Sequence, residues 1–292
     1  MIGDIPIVSF DTSTHNALVN DSARAEIVLA ALRSGLSFRF VSLSIDEMVA
    51  TADSTKRAAL FTYCARIQAG LSECIYPHNE LTTRMVVEHH KNPAAFNWKT
   101  VDVKAREYEQ AIRNRKLVAD EELSAEQRAD LKTRSREYED MWAGLRPELE
   151  AVFKKHREPP PPTFRDGVAR MQSGGNLMWH MGKLLYDRAA ETDASEATIK
   201  EFMKACPPFR ALIYAMLLSW YDRAVRDEKG EKFEAGRNDL FMAVHLPYCD
   251  KFVTAEKYGE QERCLREVAL VAGLETEILS YDDFCNSFLV TA

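Results

Sequence analysis

An alternation of strand-like and helix-like segments, present at the start of the chain and again near its end, most constrains the fold. Ile5-Pro-Ile-Val-Ser-Phe10 is short, apolar and β-branched and runs into Asp11-Thr-Ser, the pattern of a buried strand leaving into a polar turn. Asp21-Ser22 then opens an amphipathic helix that reaches Arg33 and stops at Ser34-Gly35. A second strand is expected over Ser37–Leu43 and a second helix from Ser44 onward. Strand, helix, strand, helix is the opening of a parallel α/β sheet.

The same alternation returns late. Asn238-Asp239 opens a helix from Leu240 to Leu246, and Asp250–Thr254 is a short strand with a polar exit. Glu260–Ala272 is a helix closed by Gly273, and Glu277–Ser280 a last strand. From about residue 54 to 235 the pattern is almost wholly helical. Residues 102–156 carry the Glu, Lys, Arg and Ala of long, partly solvated helices with a break near Leu123-Ser124. Glu158-Pro-Pro-Pro-Pro162 reads as a stiff, extended connector, and a helix starts after Pro207-Pro208. The expected architecture is an α/β domain split in two, 1–53 plus 236–292, with a helical insertion over 54–235.

Composition narrows the function classes. The longest apolar run, Ala211–Trp220, falls short of the roughly 18 residues a bilayer span needs, and suits a buried core helix. The first residues lack the basic-then-apolar layout of a secretory signal, so a cytoplasmic protein with no membrane partner is expected. Six cysteines without a C-x-x-C pair read as scattered buried thiols rather than a zinc ribbon. Seven histidines form no H-E-x-x-H, and His89 and His90 point apart on a helix. A net charge of −7 argues against a non-specific nucleic-acid coat, yet suits a cluster of acids that holds a divalent metal.

Parallel sheets place their chemistry at the carboxyl ends of the strands. Asp11 follows the first strand directly, and Thr254-Ala-Glu256 follows a late one. Glu47 lies in the first turn of the helix after the second strand, and Asp239 at the start of another helix. Four carboxylates converging on one sheet edge are hard ligands suited to Mg²⁺ or Mn²⁺, metals that activate water and offset charge on a phosphodiester. Each acid has a plainer role to set beside this one. Asp11 can cap a turn, and Ser44-x-x-Glu47 is a capping box, with Glu80 as another second acid. Asp239 can serve a helix dipole, and Glu256 can be a surface acid.

At these residues the sequence resembles the PIN-like nuclease superfamily. Val8-Ser-Phe-Asp11-Thr-Ser13-x-x-Asn16 is similar to the family's strand, first acid and following Ser/Thr/Asn. Phe40-Val-Ser-Leu-Ser-Ile-Asp-Glu47 resembles its strand–serine–helix segment with a second acid. Asn238-Asp239, followed by His245, Asp250 and Phe-Val-Thr254-x-Glu256, resembles its helix-opening Asp and its late strand ending in T-x-D, with Glu in place of the commoner Asp. The resemblance implies Asp11, Glu47, Asp239 and Glu256 as the metal-site acids. It implies Ser13, Asn16 and Thr254 as groups that orient them or the substrate, and Asp250 as a nearby structural or auxiliary acid. The implied activity is an endoribonuclease in which water attacks phosphorus in line and leaves a 3′-hydroxyl. A structured RNA such as tRNA is one expected substrate.

In the helical segment, Arg165, Arg170 and Lys183 surround Ser173-Gly-Gly-Asn176 and offer contacts to an RNA backbone, although a solvated helix face explains them as well. Trp179, Trp220 and Tyr221 have helical spacing and read first as core. The insert has a second expected role, as the seat of a regulatory protein partner. The competing reading is a catalytically inactive PIN-like scaffold whose long charged helices bind protein. A haloacid-dehalogenase-like phosphatase wants a second Asp two residues after the first, where Ser13 stands.

Overall fold

Strand alternation divides the buried side chains between two faces of one sheet. In the computed structural model, which describes residues 5–114, 161–174, 177–222, 240–256 and 260–289, five strands form that sheet. They are β1 (Ile7–Phe10), β2 (Ser37–Val41), β3 (Ser72–Ile75), β4 (Lys251–Thr254) and β5 (Glu277–Ser280). Their order is β3-β2-β1-β4-β5 and every pairing is parallel. The chain builds outward from β1 to β3, then crosses back to the other side of β1. The order therefore reverses between β1 and β4, and ligands of such sheets bind beyond the strand ends at this reversal.

Val8, Phe10, Phe38, Phe40, Cys74 and Val253 fill one face. Helices α1 (Thr12–Asn20), α2 (Ser22–Gly35), α3 (Ser42–Val49), α4 (Ser54–Gln68) and α6 (Arg106–Asn114) cover it, with α12 (Tyr281–Leu289). Val41, Ile75, Phe252 and Ile278 point the other way. Against them lie α5 (His78–Lys91), α7 (Phe164–Gly174), α8 (Leu177–Ala190), α9 (Glu196–Ala205), α10 (Pro207–Tyr221), a 3-10 helix (Met242–Tyr248) and α11 (Glu260–Ala272). Both faces are covered, as an all-parallel sheet requires. All six cysteines are free and buried, as the sequence leads one to expect. No helix among the described residues is long and apolar enough to cross a membrane.

The α/β architecture with its parallel sheet is as expected, but the proposed division of the chain is not. β3 lies inside the range given to the insertion and pairs with β2 at four positions, so the core runs unbroken at least to Ile75. Its four residues at a sheet edge carry too little periodicity to stand out in sequence, and two of them are only half-buried. Between β3 and β4 every regular element among the described residues is helical, yet this segment is no appendage. Its last helix, α10, is buried almost throughout and packs against α11, α5 and the 3-10 helix, forming one layer of the fold. The charged stretch over 115–160, with the start of the proline run, lies outside the described residues; Pro161-Pro162 are non-helical and lead into α7.

Other boundaries move for local reasons. Thr12 and Ser13, read with Asp11 as a polar turn, instead open α1, with Asp11 as its N-cap. β2 stops at Val41, and α3 follows without a linker, so Ser42 and Leu43 are helical rather than extended. Leu240 and Phe241 are helical, but the following turns tighten into the 3-10 helix, which Pro247 does not extend beyond Tyr248.

α8 meets α9 closely enough to require a glycine. A Cβ at Gly182 would stand 3.1 Å from both Ile199 Cγ2 and Met203 Sδ. Both neighbours are buried and cannot retreat into solvent. Overpacking of about 1–3 kcal/mol outweighs the roughly 1 kcal/mol of helix propensity gained. Gly182→Ala is expected to lower the urea midpoint by an amount worth about 1 kcal/mol, whereas a rise would mean that this contact has slack.

Candidate functional site

β1 delivers Asp11 to the reversal point, where it becomes the N-cap of α1. Its backbone N–H donates to Val253 O at 3.1 Å, which fastens the exit of β1 to β4. Thr14 adds a second fastening, its hydroxyl donating to the same carbonyl at 2.9 Å. The Asp11 side chain is 2% exposed and its carboxylate is hydrogen-bonded from three sides. Oδ1 accepts from Thr14 N at 2.7 Å, and Oδ2 accepts from the hydroxyls of Ser13 at 2.6 Å and Thr254 at 2.8 Å. Burial raises the Asp11 pKa above the ordinary carboxylate value, and these hydrogen bonds pull it back only in part.

The Ser13 hydroxyl proton is committed in this arrangement. Ser13 accepts from Ala255 N at 2.8 Å while donating to Asp11, so it clasps the exit of β4 rather than offering a hydroxyl to substrate. Thr254 is buried at the end of β4 and also faces the side-chain amide of Gln261, with Oγ1 3.0 Å from Oε1. Glu256 is half-buried two residues on, and its carboxylate accepts from Gln261 N in the first turn of α11. Its observed work is therefore at a helix start, where a negative charge is favoured.

Glu47 does not form the capping box. Ser44 is the third residue of α3, its buried hydroxyl reaches Phe10 O at 3.4 Å, and α3 begins without a side-chain cap. The half-buried Glu47 carboxylate instead accepts from the hydroxyl of Thr12, the residue after Asp11, which brings α3 to the start of α1. Glu80, the other second acid considered, is exposed and pairs with Arg84 at 2.8 Å. Asn16 is half-buried one turn along α1 and donates to Thr12 O at 2.9 Å.

Asp239 lies outside the described residues. Phe241, two residues later, stacks on His78 with ring centroids 4.5 Å apart. Asp250 is not near Asp11: it precedes β4, at the opposite edge of the sheet, where its Oδ2 accepts from Ile7 N at 2.7 Å. Arg165 is exposed and Arg170 half-buried on α7, and neither bonds to Asp11, Ser13 or Thr254. Tyr221 is core, with its hydroxyl donating to Pro161 O at 2.8 Å, and Trp179 is half-buried beneath the Lys200 ammonium.

Sequence reasoning thus finds Asp11, Ser13 and Thr254, which the fold joins, and Glu47, which it brings alongside. It misses Thr12, Thr14 and Gln261. Thr12 and Thr14 flank Ser13, and the capping role set beside Asp11 points to Thr14 three residues on. Gln261 has no local signal, because its partner is seven positions away in the chain. Among the described residues no three His, Cys, Asp or Glu side chains gather as a metal-holding group. The chain matches no protein-family model, no curated protein and no solved structure.

Proposed function

We propose that this chain is a metal-dependent endoribonuclease of the PIN-like kind, working at the sheet edge where β1 and β4 part. The observation that carries this reading is Asp11, a carboxylic acid buried at the reversal point of a parallel sheet, where desolvation raises its pKa. Such a group has unused affinity for a cation. Thr14 N occupies Oδ1 and two hydroxyls occupy Oδ2, with the Thr14 hydroxyl also close enough to the carboxylate to lower its pKa. Glu47 stands beside it through Thr12. Mg²⁺ keeps most of its waters and needs only one or two carboxylates, so this sparse donor set fits Mg²⁺ or Mn²⁺. Asp239 and Glu256 would complete the set, the latter after leaving Gln261 N.

A divalent ion bound there would activate water and offset the charge that develops on a phosphodiester. The chain's own residues have distinct parts in this reading. Asp11 and Glu47 supply negative charge at a fixed place, Ser13 and Thr254 hold the Asp11 carboxylate in one orientation, and Asn16 stands one turn away on the same helix. The helical segment between β3 and β4 would position an RNA, with Arg165 and Arg170 touching its backbone, or hold a regulatory protein partner. A structured RNA such as tRNA and a cytoplasmic setting belong to the same proposal.

The test is cleavage of total RNA by the wild type and by Asp11→Asn/Asp239→Asn, each with Mn²⁺, Mg²⁺ or EDTA. Cutting that needs metal and falls at least about 100-fold in the double variant is the expected result. Cutting that survives both EDTA and the substitutions would sink the proposal. If the wild type neither cuts nor binds Mn²⁺ in calorimetry, the inactive-scaffold reading replaces it. The engagement of Glu256 at the α11 terminus is the observation that favours that alternative.

A further inference from the structure

Around Asp11 the hydrogen-bond donors are ordered by what stands behind them. The Ser13 hydroxyl has one proton. Ala255 N can only donate, so Ser13 must accept from it and pass its own proton to Asp11 Oδ2. Thr254 presents the same problem with a less obvious answer. Its hydroxyl lies 2.8 Å from Asp11 Oδ2 and 3.0 Å from Gln261 Oε1, two acceptors competing for one proton. The Glu256 backbone N–H approaches the same hydroxyl at 3.4 Å and can only donate. Whichever acceptor Thr254 declines becomes an oxygen facing an oxygen in a buried site. Gln261 is 3% exposed, and its Nε2 is buried with no hydrogen-bond partner among the described residues. A buried amide N–H without a partner is among the least tolerated arrangements in a folded chain.

Turning the Gln261 amide by half a turn resolves both faults. Nε2 then donates to Thr254 Oγ1, the Thr254 proton has only Asp11 to serve, and the position left bare is a carbonyl oxygen, which is better tolerated. We propose that Gln261 is a positioning residue that donates to Thr254 and so commits the Thr254 proton to Asp11 Oδ2. Asp11 Oδ2 is then closed by two hydroxyls, each backed by an amide N–H, and Oδ1 is the oxygen presented to a cation. Successive donors of this kind polarise one another, so the effect of Gln261 reaches Asp11 through Thr254 rather than through packing. The cation in this proposal rests on the metal-dependent reading above. The direction of the proton relay does not.

Two measurements on the full chain test it. Neutron diffraction on deuterium-exchanged crystals reads the relay directly. The expected density puts a deuteron between Thr254 Oγ1 and Asp11 Oδ2 and an amide ND₂ facing Thr254. A deuteron between Thr254 and a Gln261 oxygen overturns the proposal. Mn²⁺ calorimetry reads its consequence. Gln261→Met keeps the volume and removes the donor, and it should weaken Mn²⁺ binding about 3- to 10-fold. In a Thr254→Val background the same substitution should change affinity less than about 2-fold, because the intermediary is gone. Equal fold-changes in the two backgrounds would mean that Gln261 acts only as core, and the proposal fails. A wild type that binds no Mn²⁺ would defeat the metal reading, while the neutron density would still decide the relay.

Discussion

The protein is expected to lose its tertiary structure in mild acid, with a midpoint at about pH 5, while staying folded from pH 7 to 8. Three histidines account for this. His15 and His245 are 0% exposed and His78 is 9% exposed, and burial lowers their pKa values to about 3 for His15 and His78 and about 4 for His245. Each is held neutral by its surroundings. The His15 ring stacks on Phe40, meets Phe10 and Phe38 edge-on and has Nε2 without a partner among the described residues. His78 lies against Phe241 and is further depressed by its neighbour His245, whose Nε2 is 3.0 Å from Tyr76 O.

A histidine whose folded pKa is depressed contributes stability that is present above its unfolded value of about 6.5 and lost as pH falls toward the folded value. At pH 5 the unfolded chain takes up protons that the folded one refuses, and each group then costs about 2 kcal/mol. Together they cost about 6 kcal/mol, comparable with a domain's whole net stability of roughly 5–15 kcal/mol. Near-UV circular dichroism against pH measures the midpoint. Urea titrations of His15→Phe at pH 8 and pH 5 assign one share of it. The larger ring overpacks its site at both pH values, so the difference between them is what counts. That difference should shrink by about 2 kcal/mol relative to wild type, and an unchanged difference would remove His15 from the account.

Such coupling shows where the sequence stops being readable. The ends of β1 and β4 announce themselves because a β-branched apolar run followed by Asp11, or by Thr254, is a local pattern that needs no knowledge of the rest of the chain. α10 also announces itself as buried, since Pro207-Pro208 and the apolar run after them suffice. Its place does not. That α10 closes one face of the sheet depends on contacts with α11 and the 3-10 helix, both late in the chain. The same holds within the site. Ser44-x-x-Glu47 has the spacing of a capping box, but β2 runs straight into α3, so Ser44 turns to Phe10 O and Glu47 to Thr12. Spacing fixes which residues share a helix turn, whereas the preceding strand fixes where the helix begins. Gln261 is the extreme case: a polar residue on a charged helix reads as solvated until α11 is laid across the exit of β4, where it is buried against Thr254.

Asp11→Asn is expected to make the protein more stable at pH 8 while removing its metal-dependent activity, and the second effect separates a functional carboxylate from a structural cap. The folded pKa of Asp11 is raised, first because burial penalises its charge. A carboxyl group raised in this way contributes stability that is complete below its unfolded pKa and lost as pH rises through the folded value. At pH 8 the buried carboxyl group is therefore a net burden. Asparagine keeps the oxygen that Thr14 N needs, and its amide can donate to Ser13 and Thr254 once their hydroxyls turn to other acceptors. The gain should be about 1 kcal/mol, or about 2 °C in Tm, and should fade as pH falls into the carboxylate range. Mn²⁺ reverses the ranking. At 100 times its dissociation constant it should stabilise the wild type by about 2.7 kcal/mol and leave the variant unmoved. Scanning calorimetry of both proteins at pH 8, with and without Mn²⁺, measures all of these quantities. A structural cap gives the same gain, because asparagine caps a helix as well as aspartate does, and predicts that neither protein responds to Mn²⁺. That outcome would leave Asp11 as the N-cap of α1 and nothing more.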